Sequence, residues 1–125
     1  MLYVIGWRNV IRVKLYRIEI TELAERDLED AGDYIAFELM NPKTALDTVR
    51  GIRVQINKLE YFPERNELDE DPVLATFGVR MDYYRNYKIY YVADNENSVV
   101  YVIRILHMLV DSRMWLYKTF RVIEE

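Results

Sequence analysis

The stretch that decides the fold is FGVRMDYYRNYKIYYVADNENSVVYVIRILH, residues 77–107. From Thr76 onward, hydrophobic and polar side chains alternate with a period of two, which is typical of β-strands. Arg85-Asn86 and the segment 94–98 (DNENS) interrupt the alternation, and both contain residues that favour turns. The stretch therefore predicts three strands, over 76–84, 87–93 and 99–106, joined by two tight turns.

Two amphipathic helices are predicted before these strands. Thr21 can cap the first helix, whose apolar stripe is Ala24, Leu28, Ala31, Ile35 and Leu39. Asn41-Pro42 ends this helix and starts a second one that extends to about residue 61. Because the connection is so short, the two helices are expected to form an antiparallel hairpin.

A strand over 15–20 and a short helix over 112–122 complete the element order. This order predicts an α+β fold in which an N-terminal strand and an antiparallel helical hairpin pack on a small antiparallel sheet, with a short C-terminal helix. We expect one domain over 15–125. Residues 1–14 are expected to form a basic extension, either a flexible or partly helical arm or an arm that touches a partner.

The composition excludes several classes of protein. The 125 residues include no cysteine and one histidine, so thiolate zinc sites and multi-histidine metal centres are impossible, and we expect no metal or cofactor. Uninterrupted apolar runs are only a few residues long, so we expect a cytoplasmic protein with no membrane contact. The net charge is −4, and residues 21–72 alone carry −8 from fourteen acidic and six basic groups. Nucleic-acid binding would therefore need a local basic patch.

Side-chain alternation divides the predicted sheet into two faces. The face expected under the helical hairpin consists of Phe77, Val79, Met81, Tyr83, Tyr87, Ile89, Tyr91, Tyr101, Ile103 and Ile105. The opposite face consists of Arg80, Asp82, Lys88, Tyr90, Val92, Val100, Val102, Arg104 and Leu106. A hairpin covers one side of a sheet, so Val100, Val102 and Leu106 are expected to be exposed and to bind a partner. The alternative is that the C-terminal helix folds back and hides this face with Trp115 and Phe120.

Basic side chains on the second face are candidates for binding a phosphate. Arg80, Lys88 and Arg104 could cluster around an anion, unless they pair with acidic side chains of the sheet or helices. Tyr90 could stack on a base or simply fill the sheet. Arg113 could join the cluster from the C-terminal helix or remain a surface residue.

His107 ends the last predicted strand. A histidine at this position could act as general acid or base in RNA cleavage. It lies three residues after Arg104, so an ideal strand would place the two side chains on opposite faces unless the chain bulges. The alternative is a strand-end histidine that is hydrogen-bonded to the backbone.

Six short motifs succeed one another along residues 15–113. They are AERDLED (24–30), DYIA (33–36), LEYFPER (59–65), GVR (78–80), NYKIYYV (86–92) and VIRILH (102–107). In this succession they resemble the RelE/ParE superfamily of bacterial toxins from type II toxin–antitoxin systems. The resemblance implies a small fold like that of the microbial ribonucleases, and a cognate antitoxin that wraps the toxin with a helix or an extended segment.

The resemblance also implies two possible targets. RelE-like toxins cleave mRNA on the ribosome, whereas ParE-like toxins inhibit DNA gyrase without hydrolysing anything. Arg80, Lys88, Arg104 and His107 fall where ribonuclease members keep basic or catalytic side chains. The acidic balance, the sequence MLVDS after His107 and the long hairpin depart from that branch. The expected function is ribosome-dependent mRNA cleavage with His107, Arg80 and Arg104 as catalytic residues, and the alternative is gyrase inhibition.

Overall fold

The computed structural model describes residues 2–5 and 10–122, with side chains from residue 13 onward. Two short strands, β1 (Leu2–Ile5) and β2 (Val10–Val13), pair antiparallel in a sheet separate from the main one. These two segments of the predicted arm are therefore strands and not helical, as their β-branched and aromatic residues favour extended backbone. A flexible arm and an arm that touches a partner both stay predictions. Residues 1 and 6–9 of the predicted extension lie outside the described residues. The domain boundary at residue 15 stays a prediction.

The main sheet has four strands in the order β3-β6-β5-β4, namely β3 (Arg17–Ile20), β4 (Val79–Tyr84), β5 (Tyr87–Asp94) and β6 (Val99–His107). The three strands of the deciding stretch are antiparallel, as predicted. The N-terminal strand β3 joins parallel to β6. Parallel pairing requires a long crossover, and the helical hairpin between β3 and β4 begins that crossover.

The predicted hairpin consists of α1 (Glu22–Asp33) and α2 (Pro42–Asn57). Thr21 Oγ1 accepts the Ala24 N–H at 3.2 Å, and Asn41 Oδ1 accepts the Thr44 N–H at 3.2 Å, so both predicted caps are confirmed. The first helix does not stay α-helical to residue 39, because Tyr34–Glu38 forms one π-helical turn. Two short 3₁₀ turns, Lys58–Glu60 and Pro63–Arg65, follow α2.

A short helix before β4 was not predicted from the sequence, whereas the C-terminal helix was. Helix α3 (Pro72–Thr76) ends at the residue where the first strand of the deciding stretch was expected to begin, and it forms because Asp71 caps it and Pro72 suits its first position. The C-terminal helix α4 (Ser112–Phe120) ends two residues before its predicted end. Within the described residues, no helix combines the length and the apolar composition needed to cross a bilayer.

Helices cover both faces of the main sheet. The hairpin packs on one face, and its core includes Ala24, Leu28, Ile52, Ile56, Ile89, Tyr91, Val100, Val102 and Ile105. The other face packs under α4, in a core that includes Leu74, Val79, Tyr90, Ile103, Leu106, Leu116 and Tyr117. The C-terminal helix therefore does fold back over the sheet. Phe120 stacks on Phe77 with ring centroids 4.6 Å apart, whereas Trp115 remains 39% exposed.

The predicted facing of β4 is wrong by one residue. A two-residue turn places Tyr84 directly opposite Tyr87, and directly opposed residues share a face. Arg80 and Asp82 therefore lie on the hairpin side, whereas Met81 packs under α4.

A β-bulge reverses the predicted facing of the first half of β6. Tyr90 pairs with Arg104 and Tyr91 pairs with Val102, so Ile103 has no partner on β5. Val100 and Val102 consequently turn toward the helical hairpin, where both are fully buried. The prediction that they form an exposed, partner-binding face is wrong.

Candidate functional site

Arg104 is held inside the protein by Asp27 of α1. Its Nε and Nη2 atoms donate to the two carboxylate oxygens of Asp27 at 2.7 Å each, and the Ile105 N–H donates to the same carboxylate at 3.0 Å. The guanidinium also lies 5.2 Å from the ring centroid of Trp115. Arg104 is 6% exposed, so it does not present a phosphate-binding group at the surface, contrary to its predicted role.

Arg80 supports a turn on the hairpin side of the sheet. Its Nη1 donates to the backbone oxygens of Glu64 and Asn66, at 3.3 and 2.5 Å. The hydroxyl of Tyr91, which pairs with Arg80 across the sheet, donates to the Pro63 oxygen. Arg80 thus stabilises the segment that follows α2.

The predicted substrate-binding residues of β5 lie on the face that α4 covers. Lys88 Nζ donates to the Val110 oxygen at 3.2 Å and lies 5.9 Å from the ring centroid of Tyr90. Burial lowers the pKa of Lys88, although Asp111 and Asp69 oppose that shift. Tyr90 is buried too, and burial raises the pKa of its phenol. Tyr90 is 5% exposed and Leu106 is 6% exposed, so neither offers the open surface that the sequence predicted.

Arg113 connects α4 to α3 through Asp71. Its Nε donates to Asp71 Oδ2 at 2.7 Å, and the Tyr117 hydroxyl donates to the same carboxylate at 2.8 Å. Burial would raise the pKa of Asp71, but hydrogen bonds from Arg113, Tyr117 and the amides of Leu74 and Val73 outweigh it and lower the pKa to about 2. This contact holds the C-terminal helix in place.

His107 is a strand-end histidine bonded to the backbone, which was the alternative left open by the sequence. Its Nδ1 accepts the Leu109 N–H at 3.1 Å, so the neutral ring carries its proton on Nε2. The ring meets that of Tyr87 edge-on, with centroids 5.4 Å apart. Burial raises the pKa of Tyr87, and the nearby Tyr34 phenol raises it further.

The three predicted catalytic residues do not come together. Arg104 pairs with Tyr90 on the face under α4, whereas His107 pairs with Tyr87 on the hairpin face. Asp27 of α1 lies near both, because it binds the guanidinium of Arg104 and also lines a groove beside His107. Arg80 lies on β4, on the hairpin side, and pairs with Tyr91 of β5. His107 lies on β6, two strands from β4, and pairs with Tyr87 of β5. Four residues of strand separate those two pairs, which is roughly 13 Å along the sheet.

A groove lies where α1 passes the end of β6. It has a volume of about 420 Å³ and is lined by Asp27, Asp30, Ala31, Tyr34, Tyr87, Ile105, Leu106, His107, Leu109 and Val110. Tyr34 is 52% exposed and Leu109 is 89% exposed. Neither residue was predicted from the sequence to belong to a site. Tyr34 could have been found from the sequence, since it lies outside the apolar stripe of the first helix. A large apolar side chain outside the buried stripe indicates a second contact face.

The groove is acidic at its helical side. Asp27 and Asp30 line it, and no lysine or arginine in the described part of the chain does, although Arg104 already neutralises Asp27. Among the described residues, no three His, Asp or Glu side chains are placed to hold a metal ion. An acidic rim repels phosphate, so this groove suits a cationic or apolar group better than RNA.

Comparisons with known proteins agree with the sequence resemblance. The family model described as ParE toxin of type II toxin-antitoxin system, parDE, matches residues 18–111. No curated protein matches the chain.

Three solved structures share this fold. The chromosomal ParDE system from P. aeruginosa is 20% identical in sequence, with a TM-score of 0.63. The superposition covers 75% of this chain and 97% of that chain. The RelBE2 toxin-antitoxin complex from Mycobacterium tuberculosis is 22% identical, with a TM-score of 0.50 and coverages of 74% and 91%. A mutant of E. coli toxin RelE in the free state is 17% identical, with a TM-score of 0.58 and coverages of 87% and 99%.

The family match spans three quarters of the chain, from β3 to the residue before α4. The fold and the family agree, and the chain belongs to the ParE toxin family of type II toxin–antitoxin systems.

Proposed function

We propose that this toxin arrests growth by binding DNA gyrase rather than by cleaving RNA. The observation that carries the proposal is the fate of the three predicted catalytic residues. Arg104 is paired with Asp27, Arg80 is bonded to backbone oxygens, and His107 lies beside an acidic groove. The gyrase target comes from the resemblance to the ParE-like branch, and the match to the parDE family supports it. Because gyrase acts on the chromosome, the proposal places the chain in the cytoplasm.

Electrostatics also favour binding over RNA cleavage. Cleavage of a phosphodiester needs donors that hold the phosphate and stabilise the charge that develops on it. Among residues 13–122, Asp30 is an unpaired carboxylate in the groove around His107, Asp27 is already paired with Arg104, and no lysine or arginine lines the groove. The net charge of −4 provides no long-range attraction to ribosomal RNA. Ribosome-dependent mRNA cleavage stays a prediction, and the experiments below test it directly.

A cognate antitoxin is the second proposed partner. The structural relatives from P. aeruginosa and M. tuberculosis are a toxin–antitoxin system and a toxin–antitoxin complex. The family that this chain belongs to is defined by the parDE pair. We expect the product of the neighbouring open reading frame to bind the toxin and to neutralise it.

Purified gyrase provides the decisive assay. We expect the purified chain to inhibit the supercoiling of relaxed plasmid, and a preformed complex with the neighbouring gene product to leave supercoiling intact. Relaxation by a topoisomerase other than gyrase is the control and should be unchanged. Full supercoiling activity in the presence of excess toxin would refute the proposal.

Mapping of message ends in cells tests the alternative. After induction of the toxin we expect growth to stop while the 3′ ends of translated messages stay as they were. New 3′ ends within coding regions, appearing before growth stops, would support mRNA cleavage and contradict the gyrase proposal.

A further inference from the structure

The rim of the groove exposes large apolar side chains that a monomer normally buries. Tyr34, which starts the π-helical turn, and Leu109, in the connection between β6 and α4, both line it. Phe37, one turn after Tyr34, is 75% exposed, and Met108 beside Leu109 is 45% exposed. Large apolar side chains exposed around a groove are typical of interaction sites.

The backbone geometry changes where Tyr34 enters the groove. The helix leaves α-geometry for a π-helical turn over Tyr34–Glu38, in which the Leu39 N–H donates to the Tyr34 oxygen at 3.2 Å. Such π-helical turns occur mostly inside α-helices and frequently at functional sites. The irregular turn therefore begins at the groove, with Tyr34, and also carries the exposed side chain of Phe37.

One charge at the groove is unneutralised. Arg104 neutralises the carboxylate of Asp27, whereas the exposed carboxylate of Asp30 has no ion-pair partner among residues 13–122. His107 contributes its Nε2–H as a further polar group. The groove thus combines an apolar floor, one hydrogen-bond donor and one free negative charge.

Resting on the proposed function, we infer that this groove is the docking site of the antitoxin. The occupant is a segment of the antitoxin that inserts a large apolar side chain between Tyr34 and Leu109 and places a lysine or arginine against Asp30. The cavity of about 420 Å³ can accept an aromatic or branched side chain. The unpaired carboxylate of Asp30 attracts a basic side chain and repels an acidic one.

The test measures the affinity of purified toxin variants for the purified product of the neighbouring open reading frame by titration calorimetry. We expect Asp30→Lys and Leu109→Asp each to weaken binding by about tenfold or more, because both residues lie at the centre of the contact. Glu29→Lys is the matched charge control on the same helix, since Glu29 lines a different groove next to α2. Val54→Asp is the matched apolar control, since Val54 is 57% exposed on α2.

Both controls are expected to bind within about twofold of the wild type, and circular dichroism should show that all four variants are folded. A reciprocal change of the antitoxin's basic residue to glutamate should restore affinity for Asp30→Lys.

Unchanged affinity in both groove variants, or equal losses in the controls, would overturn the docking inference while the proposed function stands. Loss of gyrase inhibition with unchanged antitoxin affinity in the groove variants would also overturn it, because the groove would then bind the target. A wild-type chain that binds no neighbouring product would refute the antitoxin partnership itself, and with it the docking site.

Discussion

Asp27 on the first helix and Arg104 on the last strand form a bidentate ion pair in which both side chains are largely buried. The pair connects the helical hairpin to the centre of the sheet, and the guanidinium also contacts Thr119 and Trp115 of α4. Three layers of the fold therefore meet at one arginine. Its role is to hold those layers together, which is why it is unavailable to a phosphate.

Removing one partner of this pair is expected to destabilise the protein strongly. Asp27→Ala leaves a buried guanidinium without its carboxylate, which typically costs about 3–5 kcal/mol of unfolding free energy. Asp30→Ala, one turn further along the exposed side of the helix, should cost less than about 0.5 kcal/mol. Urea unfolding measures both values. If the two variants unfold at the same urea concentration, the ion pair does not have the structural role assigned to it.

Gly51 provides a second test of packing. A β-carbon on Gly51 would lie 1.9 Å from the ring of Tyr84, which crosses helix α2 at that point. Alanine favours a helix by about 1 kcal/mol over glycine, yet we expect Gly51→Ala to lower the unfolding free energy by about 1–3 kcal/mol, because the clash outweighs the propensity. Thermal unfolding measures the change, and adding Tyr84→Leu should recover most of it. A Gly51→Ala variant more stable than the wild type would contradict this packing.

The contact between Asp71 and α4 is expected to fail at low pH. The pKa of Asp71 is about 2 in the folded chain, against an ordinary value of 3.8. A carboxyl whose pKa is lowered by folding stabilises the protein fully above its unfolded pKa. That contribution therefore declines as the pH falls from about 4 to about 2. As the pH is lowered across this range, the unfolding free energy of the wild type should fall. The unfolding free energy of Asp71→Asn should fall by a smaller amount. Asp111→Asn, whose side chain does not cap α4, is the control and should follow the wild type.

His107→Ala separates the two proposed targets in cells. If the toxin acts by binding gyrase, the variant should arrest growth as fast as the wild type when the neighbouring gene is absent. If His107 were a general acid or base, the variant should lose about 10² to 10⁴ of the cleavage rate and allow growth. Growth curves after induction, with immunoblots to match protein levels, distinguish the two. A harmless, folded His107→Ala protein would argue for mRNA cleavage.

Most of the secondary structure was predictable because it depends on local pattern. The caps at Thr21 and Asn41, the turn at 85–86 and the strand periodicity each depend on neighbouring residues alone. The facing of the strands was only partly predictable. The bulge at Ile103 has no sequence mark of its own, because every residue from 99 to 103 favours a regular strand equally well.

The candidate site shows the same division. His107 was singled out from the sequence, and the structure places it in the groove. Its neighbours Tyr34 and Asp30 come from a helix more than seventy residues earlier, so no local spacing relates them to it. The predicted basic cluster failed for a related reason, because the acidic partner of Arg104 is equally distant in sequence.

The amino-acid sequence alone determined the element order, the α+β class and the superfamily, since capping, periodicity and motif succession act over a few residues at a time. Only the tertiary structure decided which face of each strand is buried, which cations are already neutralised and where an uncovered apolar surface remains. The physical reason is that a one-residue shift in pairing moves a side chain to the other face of a sheet. The partner of a buried charge is likewise chosen by packing between distant segments and not by the residues beside it.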